Sequence, residues 1–435
     1  MTITVHRGCH EIGGLSIELS NASGERILLD VGRPLVDSDD GGAADMERLS
    51  SAVRPMNERG VLLGVMFSHG HQDHIGFDRL VPAGVPRWVA RDTLALYRLK
   101  EKAGFFETTD APDWERYQVY QSGTVFSIGH FTVTPWLMDH SAIDAHAFEI
   151  RADGQRVVFT GDFRRHGRKG VLLKTFLASV ASGPDALLIE GTTLSRADSR
   201  EPDTERDIED RLVALARDTQ GQMFIQCSAE NVDRIVGIYR ACRRTGRTLV
   251  VDLYTAMVLK TLAENHPGIP CPGKNSWQQL RVWYPQPLTR RLVDRFGEQE
   301  TVFGFKRVQL KRTDFSSAGP VMMLVRPTMR KELQRWMEGG DHAFIYSLWN
   351  GYLEDARQRE FVAFMAEKGA SLHTIHTSGH ADARAIADVI AALKPRVIIP
   401  VHTENPGRFQ KLGDNVVLVS DKQAYTIDAP ESGGG

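Results

Sequence analysis

Three of the chain's 15 histidines fall within six residues, beside an aspartate, in Ser68-His69-Gly70-His71-Gln72-Asp73-His74. On a loop, imidazoles at i and i+2 can converge on one cation. The carboxylate of Asp73 and the imidazole of His74 can then turn toward a second cation. Such donors suit zinc, and also manganese or iron. Two more positions extend the set. His140 lies just past an apolar run, and Asp162 ends another, after Gly161. A carboxylate at Asp162 can bridge two cations, which a single imidazole cannot do. Together these residue types point to metal-assisted hydrolysis.

The donors need strands that end in one place. Residues 61–67 are a continuous apolar run, predicted as a buried strand with the histidine cluster at its end. Residues 75–81 then read as helix. Strands are expected at 15–19, 26–30, 131–137, 147–150, 157–160 and 186–189, with a loop over the Gly-rich 37–44. From 207 the pattern alternates: helix 207–218, strand 223–226, helix 231–244, strand 248–251, helix 256–264, then strand 321–325, helix 329–337 and strand 343–346. That is the signature of a parallel sheet covered by helices. Residues 268–287 are rich in Pro and Gly and read as loop. Helix 361–368, strand 372–376, helix 382–393 and strand 397–400 lead to His402, and 432–435 reads as a flexible tail. The partition is one domain interrupted by another: 1–195 and 360–430 as host, 196–359 as insertion.

Bulk properties narrow the class. A 42% hydrophobic content over 435 residues is enough for buried cores in two or three domains. A net charge of −2 means that any phosphate-binding surface is a local patch. Cys9, Cys227, Cys242 and Cys271 form no C-x-x-C pair and are expected to be buried or idle thiols. Apolar runs are too short for a membrane span and the start is not signal-like, so a cytoplasmic protein without a membrane partner is expected.

In order along the chain, Asp30-Val31-Gly32, the His69–His74 cluster, His140 and Thr160-Gly161-Asp162 resemble the motifs of the metallo-β-lactamase superfamily. The resemblance implies an α/β fold, an αββα sandwich with two metals at the sheet edges. Asp30 would brace the ligand loop rather than ligate. Leu188-Ile189-Glu190-Gly191-Thr192 is similar to the acidic first motif of the β-CASP nucleases. His376-Thr377-Ser378-Gly379-His380-Ala381 looks like their Ser-Gly-His motif, and Ile399-Pro400-Val401-His402-Thr403-Glu404 like their last histidine motif. The insertion lies where the β-CASP α/β cap domain belongs. His140-Ser141-x-x-Asp144 and Gly161-Asp162-Phe163 resemble the ribonuclease J branch in particular. Ile143 departs from that branch, which has Pro there. The segment 346–354 departs from its Ser-rich, Gly-Asn-Glu stretch that holds a 5'-phosphate. The C-terminal oligomerisation domain of its long members has no counterpart after His402, so oligomerisation is not indicated.

The resemblance also assigns roles. One Zn2+ would take His69, His71 and His140, and the other Asp73, His74 and His402, with Asp162 bridging; Mn2+ is the alternative metal. The pair would clamp a phosphodiester and activate a hydroxide between them. Asp73, His380 and Glu190 form the implied catalytic set, with His380 donating to the leaving oxygen and Glu190 orienting a site histidine. His376 is the alternative donor, and helix capping is the alternative role for His380. Ser378 and Gly379 would meet the phosphate. Arg164 and Arg165, just after Asp162, are candidates for phosphate contact or a solvated loop. Trp349 and Tyr352 are candidates for base stacking or core packing. The leading expectation is a dinuclear zinc phosphodiesterase cleaving single-stranded RNA. The alternatives are a nuclease acting on DNA or small oligonucleotides, a hydrolase of small esters, thioesters or lactones, and a non-catalytic binding module.

Overall fold

The computed structural model describes every residue except 36–42, 106–112, 195–200, 296, 298, 315–318, 338–339 and 429–435. Most of the expected loop over 37–44, the tail at 432–435 and the boundary at 195 therefore lie outside the described residues. Alternating apolar residues in the first strands give them one face to bury. Thr2–Arg7, Ser16–Ser20 and Glu25–Leu29 pair antiparallel. Gly60–Met66, Arg87–Ala90 and Tyr117–Tyr120 extend the sheet in parallel, and Ala424–Thr426 closes the far edge. The second sheet runs Ile398–Val401, Ala186–Glu190, Gln155–Phe159, His146–Ala152, Phe131–Leu137 and Phe126–Ile128.

The two sheets face each other. Ile3, Ile17 and Leu29 from one pack with Phe148, Val157, Leu188 and Ile399 from the other in a single core. Leu94 and Tyr97 of helix Arg91–Lys102 bury the outer face of the first sheet. Helices Val171–Ser179 and Ala383–Leu393 bury that of the second. The layers are thus αββα, as expected.

A third sheet, wholly parallel, runs Leu280–Trp283, Thr248–Asp252, Val321–Leu324, Met223–Gln226, Ala343–Tyr346 and Ser371–Thr374. Apolar clusters bury both of its faces, which explains its continuous hydrophobic runs. Leu96, Leu99 and Ala103 of the first layer join one of these clusters, so the insertion is packed onto the sandwich.

Three expectations change. Residues 75–81 are not one helix: Gln72–Ile75 is a single turn and Asp78–Leu80 a 3-10 turn. Gly76 lies against the Gln72 carbonyl, 2.2 Å from where a Cβ would be, and the chain turns there. Residues 268–287 contain the strand Leu280–Trp283, too short to stand out from its Pro-rich flanks. Strand Ser371–Thr374, read as part of the returning host, pairs with Ala343–Tyr346 in the third sheet.

The Asp30–Gly32 turn locks the histidine loop to the first sheet. Val31 N–H donates to His74 O at 2.8 Å and Leu15 N–H to Asp73 O at 3.0 Å. Gly32 sits so close that a Cβ would lie 1.7 Å from Asp73 O. Gly32→Ala is expected to cost about 3 kcal/mol or more, or to displace the loop. Thermal unfolding and metal content test this: an unchanged Tm with full metal content would refute it.

Candidate metal centre

The strands deliver their loops to one rim. Asp30 has left-handed backbone at φ 61°, which turns its carboxylate under the histidine loop. Ser68 donates to it twice, from N and from Oγ, each at 2.7 Å. His74 Nδ1 donates to Asp30 Oδ2 at 2.8 Å. That bond commits the Nδ1 proton and aims Nε2 into the site. Asp30 therefore braces and does not line the ion position.

His69 Nε2, His71 Nδ1 and His140 Nε2 converge. His71 Nδ1 is 3.1 Å from the first and 3.2 Å from the second. A tetrahedral ion with Zn–N bonds of about 2.0–2.1 Å needs nitrogens roughly 3.3–3.4 Å apart. His140 Nδ1 donates to Gly379 O at 2.5 Å, leaving Nε2 as the lone-pair nitrogen. Burial depresses the His69 and His140 pKa values, which keeps those imidazoles neutral, as ligation requires.

Asp73, His74, Asp162 and His402 form a second group, with ligand atoms all within 4.8 Å of one another. Asp162 is 1% exposed, yet among the described residues neither of its oxygens has a hydrogen-bond partner, and neither does His74 Nε2, 3.1 Å away. Buried unsatisfied polar atoms each cost about 1–3 kcal/mol. Three aimed at one point fit a bound cation. Burial alone would lower the His74 pKa, but Asp162, Asp30 and Asp73 outweigh it and hold it well up. This is a locus built for positive charge. Asp162 Oδ2 is also 3.8 Å from His69 Nε2 and from His140 Nε2, between the two groups. His402, also left-handed at φ 50°, is held by Thr192 Oγ1, 2.8 Å from its Nδ1. Its Nε2 accepts Gly13 N–H at 3.0 Å and lies 3.4 Å from Asp73 Oδ2.

Glu190 organises the other side. Its Oε1 accepts Phe163 N–H and Ala381 N–H, and its Oε2 faces His380 Nδ1 at 3.1 Å. Burial would lower the His380 pKa; Glu190 and Asp162 reverse this and raise it to about 9. The capping alternative falls to Asp382, whose side chain accepts from Arg384 N–H and Ala385 N–H. Ser378 Oγ accepts His380 N–H, and Gly379 has no room for a Cβ beside Ser141 Oγ. One cleft of about 770 Å³ opens beside these groups, lined by His71, Asp73, Ser378, Gly379 and His380 below. Ser347, Trp349 and Tyr352 line it from the insertion, and His376 lines it too.

The arginines are corrected. Arg164 is fully buried, and its guanidinium is committed to Asp139, Glu205, Asp233 and the Ser378 carbonyl. Arg165 pairs with Asp382 and Glu201. Neither lines the cleft, because the chain after Asp162 turns toward the insertion. Arg164 is a strut: Arg234 shares Glu205 with it and also donates to Ser347 Oγ, so one buried ionic chain joins the site loops to the roof. Sequence reasoning missed Thr192, Gly13 and Lys100. The last bonds Glu230 of the insertion at 2.9 Å and touches Gly70 O, a pairing with no sequence signal. All four cysteines are buried thiols, and among the described residues no helix is long and apolar enough to cross a membrane.

The chain matches two family models: residues 34–225 match "Beta-lactamase superfamily domain" and residues 366–412 match "Zn-dependent metallo-hydrolase RNA specificity domain". It also resembles the ribonuclease J proteins. It is 23% identical to ribonuclease J of Sinorhizobium meliloti over 80% of this chain and 58% of that one. The Thermus thermophilus ribonuclease J is 25% identical over 78% and 57%, and that of Mycobacterium tuberculosis 23% identical over 97% and 71%. The chain thus spans a little over half the length of the first two relatives. A crystal structure of a protein of unknown function from Enterococcus faecalis shares the fold, at TM-score 0.74 and 22% identity over 98% of this chain and 99% of that one.

Two outcomes follow from the buried ionic chain. Arg164→Met strands Asp139, Glu205 and Asp233 and is expected to destabilise the fold by about 3–5 kcal/mol in chemical denaturation. A stable variant that loses only nucleic-acid affinity would restore Arg164 to substrate contact. Burial would raise the Glu205 pKa, but Arg234 and Arg164 pull it down to about 2 from 4.5. A folded-state pKa below the unfolded one gives stability that is complete above pH 4.5 and lost as pH falls toward 2. Wild type is therefore expected to lose more stability over that window than Glu205→Gln.

Proposed function

We propose that the chain is a metal-dependent phosphodiesterase that cleaves single-stranded RNA, with two zinc-class ions as cofactors. The observation that carries this is Asp162: a buried carboxylate without a hydrogen-bond partner among the described residues, set between two groups of ligand atoms beside the cleft that His71, Asp73 and His380 line. The match of residues 366–412 to an RNA-specificity model and the likeness to ribonuclease J supply the substrate class. In this reading His69, His71 and His140 hold one ion, Asp73, His74 and His402 the other, and Asp162 both. The host is residues 1–195 and 360–430, apart from Ser371–Thr374, which pairs in the sheet of the roof that 196–359 supplies.

Bound there, the ions would supply Lewis acidity toward a phosphoryl oxygen and lower the pKa of water. The chain's own residues do the rest. Glu190 fixes the His380 ring through Nδ1, so the remaining nitrogen faces the cleft and holds a proton for the leaving oxygen. Ser378 and Gly379 form the turn that carries His380 and, through the Gly379 carbonyl, orient His140. The roof limits water and favours an unpaired strand. His376 lines the same cleft, but the Glu190 carboxylate is bonded to His380.

His380→Ala is expected to retain both metals and lose about 10²–10⁴-fold in turnover. Full activity would remove it from the mechanism. Elemental analysis is expected to find two zinc or manganese ions per chain, and zero would end the metallohydrolase reading. End-labelled single-stranded RNA is expected to be cut only with metal present. If RNA and DNA stay intact while a lactone or thioester turns over, the small-molecule reading replaces this one.

A further inference from the structure

The walls of the cleft differ in chemistry. Its cationic lining residues are Arg33, Arg79 and Lys100, all from the first layer of the sandwich, and Lys100 is bonded to Glu230. Among the described residues, the insertion adds no Lys or Arg to the lining. It brings Glu230, small polar groups and the aromatic rings Tyr254, Trp349 and Tyr352. A strand of nucleic acid has the same two-sidedness, with phosphates along one edge and flat apolar bases along the other.

Trp349 and Tyr352 are also built as a rigid unit. Their rings meet edge to face, with centroids 5.5 Å apart. The Trp349 indole lies across Gly351, where an added Cβ would be 2.3 Å from the ring. Glycine there lets the indole fold flat onto the backbone. The 3-10 turn Asn350–Glu354 carries both Gly351 and Tyr352, and Tyr346 Oη donates to Trp349 O at 3.2 Å. Ser347, just before, is tied down by buried Arg234 and by its own bond to Ile375 O at 2.6 Å. Tyr352 is nevertheless 41% exposed and lines the same cleft as Asp73. A large aromatic pair, immobilised yet open to the cleft beside the candidate metal centre, is what core packing would not leave.

We infer that Trp349 and Tyr352, braced by Gly351, form a stacking platform for a base of single-stranded RNA next to the scissile phosphate. This rests on the ribonuclease reading and names the specificity element of that site. The phosphates face the metal ligands and the Arg33 and Arg79 side, and the base turns to the roof. A base still paired in a duplex cannot present its face to the indole, so the platform selects unpaired strands.

The test uses the metal-loaded full chain and two single-stranded RNA oligonucleotides of one sequence, intact or with an abasic ribose beside the cleavage point. Stacking on an aromatic ring changes affinity by roughly 5–150-fold per base. Wild type is expected to cut intact RNA about 10–100-fold faster in kcat/KM than abasic RNA. Trp349→Ala is expected to lose that same factor on intact RNA and to treat both substrates alike. Trp349→Phe restores discrimination in part, and Gly351→Ala reduces it by displacing the indole. An alanine variant that cuts intact RNA like wild type, or that loses equally on both RNAs, overturns the platform. If wild type cuts neither RNA, the ribonuclease reading fails, and this inference with it.

Discussion

The structure depends on how much charge it buries at one point. Asp30, Asp73, Asp162 and Glu190 are all buried within the same group of loops, together with His69, His74, His140 and His402. Removing a carboxylate from water costs several kcal/mol unless an opposite charge and hydrogen bonds compensate. Asp30 is compensated by Ser68 and His74, and Glu190 by three backbone amides and His380. Asp162 faces His74 and His380 at 3.1 and 3.5 Å, yet neither of its oxygens has a hydrogen-bond partner among the described residues, and they mark where positive charge belongs. The strand ends, the Gly32 approach and the two left-handed residues all bring donors to that spot.

The roof is bound by the same logic. Arg164 leaves the loop after Asp162 and meets Glu205 and Asp233, while Arg234 carries the ionic chain on to Ser347 in the cleft. Lys100 and Glu230 make a second tie beside Gly70, between two of the candidate ligands. The insertion is therefore coupled to the metal loops through charge as well as through the apolar cluster around Leu96 and Leu99.

Local patterns that repeat at short range were legible. The apolar run before His69 became Gly60–Met66, and the helix–strand alternation after 207 became the parallel third sheet. Asp162 and His140 stood out because each ends a strand. Elements whose signal is weak or non-local were not. Leu280–Trp283 has four residues, and Ser371–Thr374 is an exposed edge whose sheet is chosen by its partner. Arg164 and Arg165 sat beside a candidate ligand and were read as facing phosphate, but the buried acids that claim Arg164 lie 25, 41 and 69 residues away in sequence.

What the sequence alone determined is the kind and spacing of donors: imidazole and carboxylate in a short loop, a carboxylate after a glycine, each at the end of a hydrophobic strand. Those follow from covalent neighbours and from side-chain periodicity. Which nitrogen of a histidine faces the centre was decided only in three dimensions, by Asp30 for His74 and Gly379 for His140. Tertiary structure also chose which arginines serve as struts and which aromatic rings line the cleft. The physical reason is separation along the chain. His402 and Gly13 are 389 residues apart, and no local rule links them until two sheets have packed face to face.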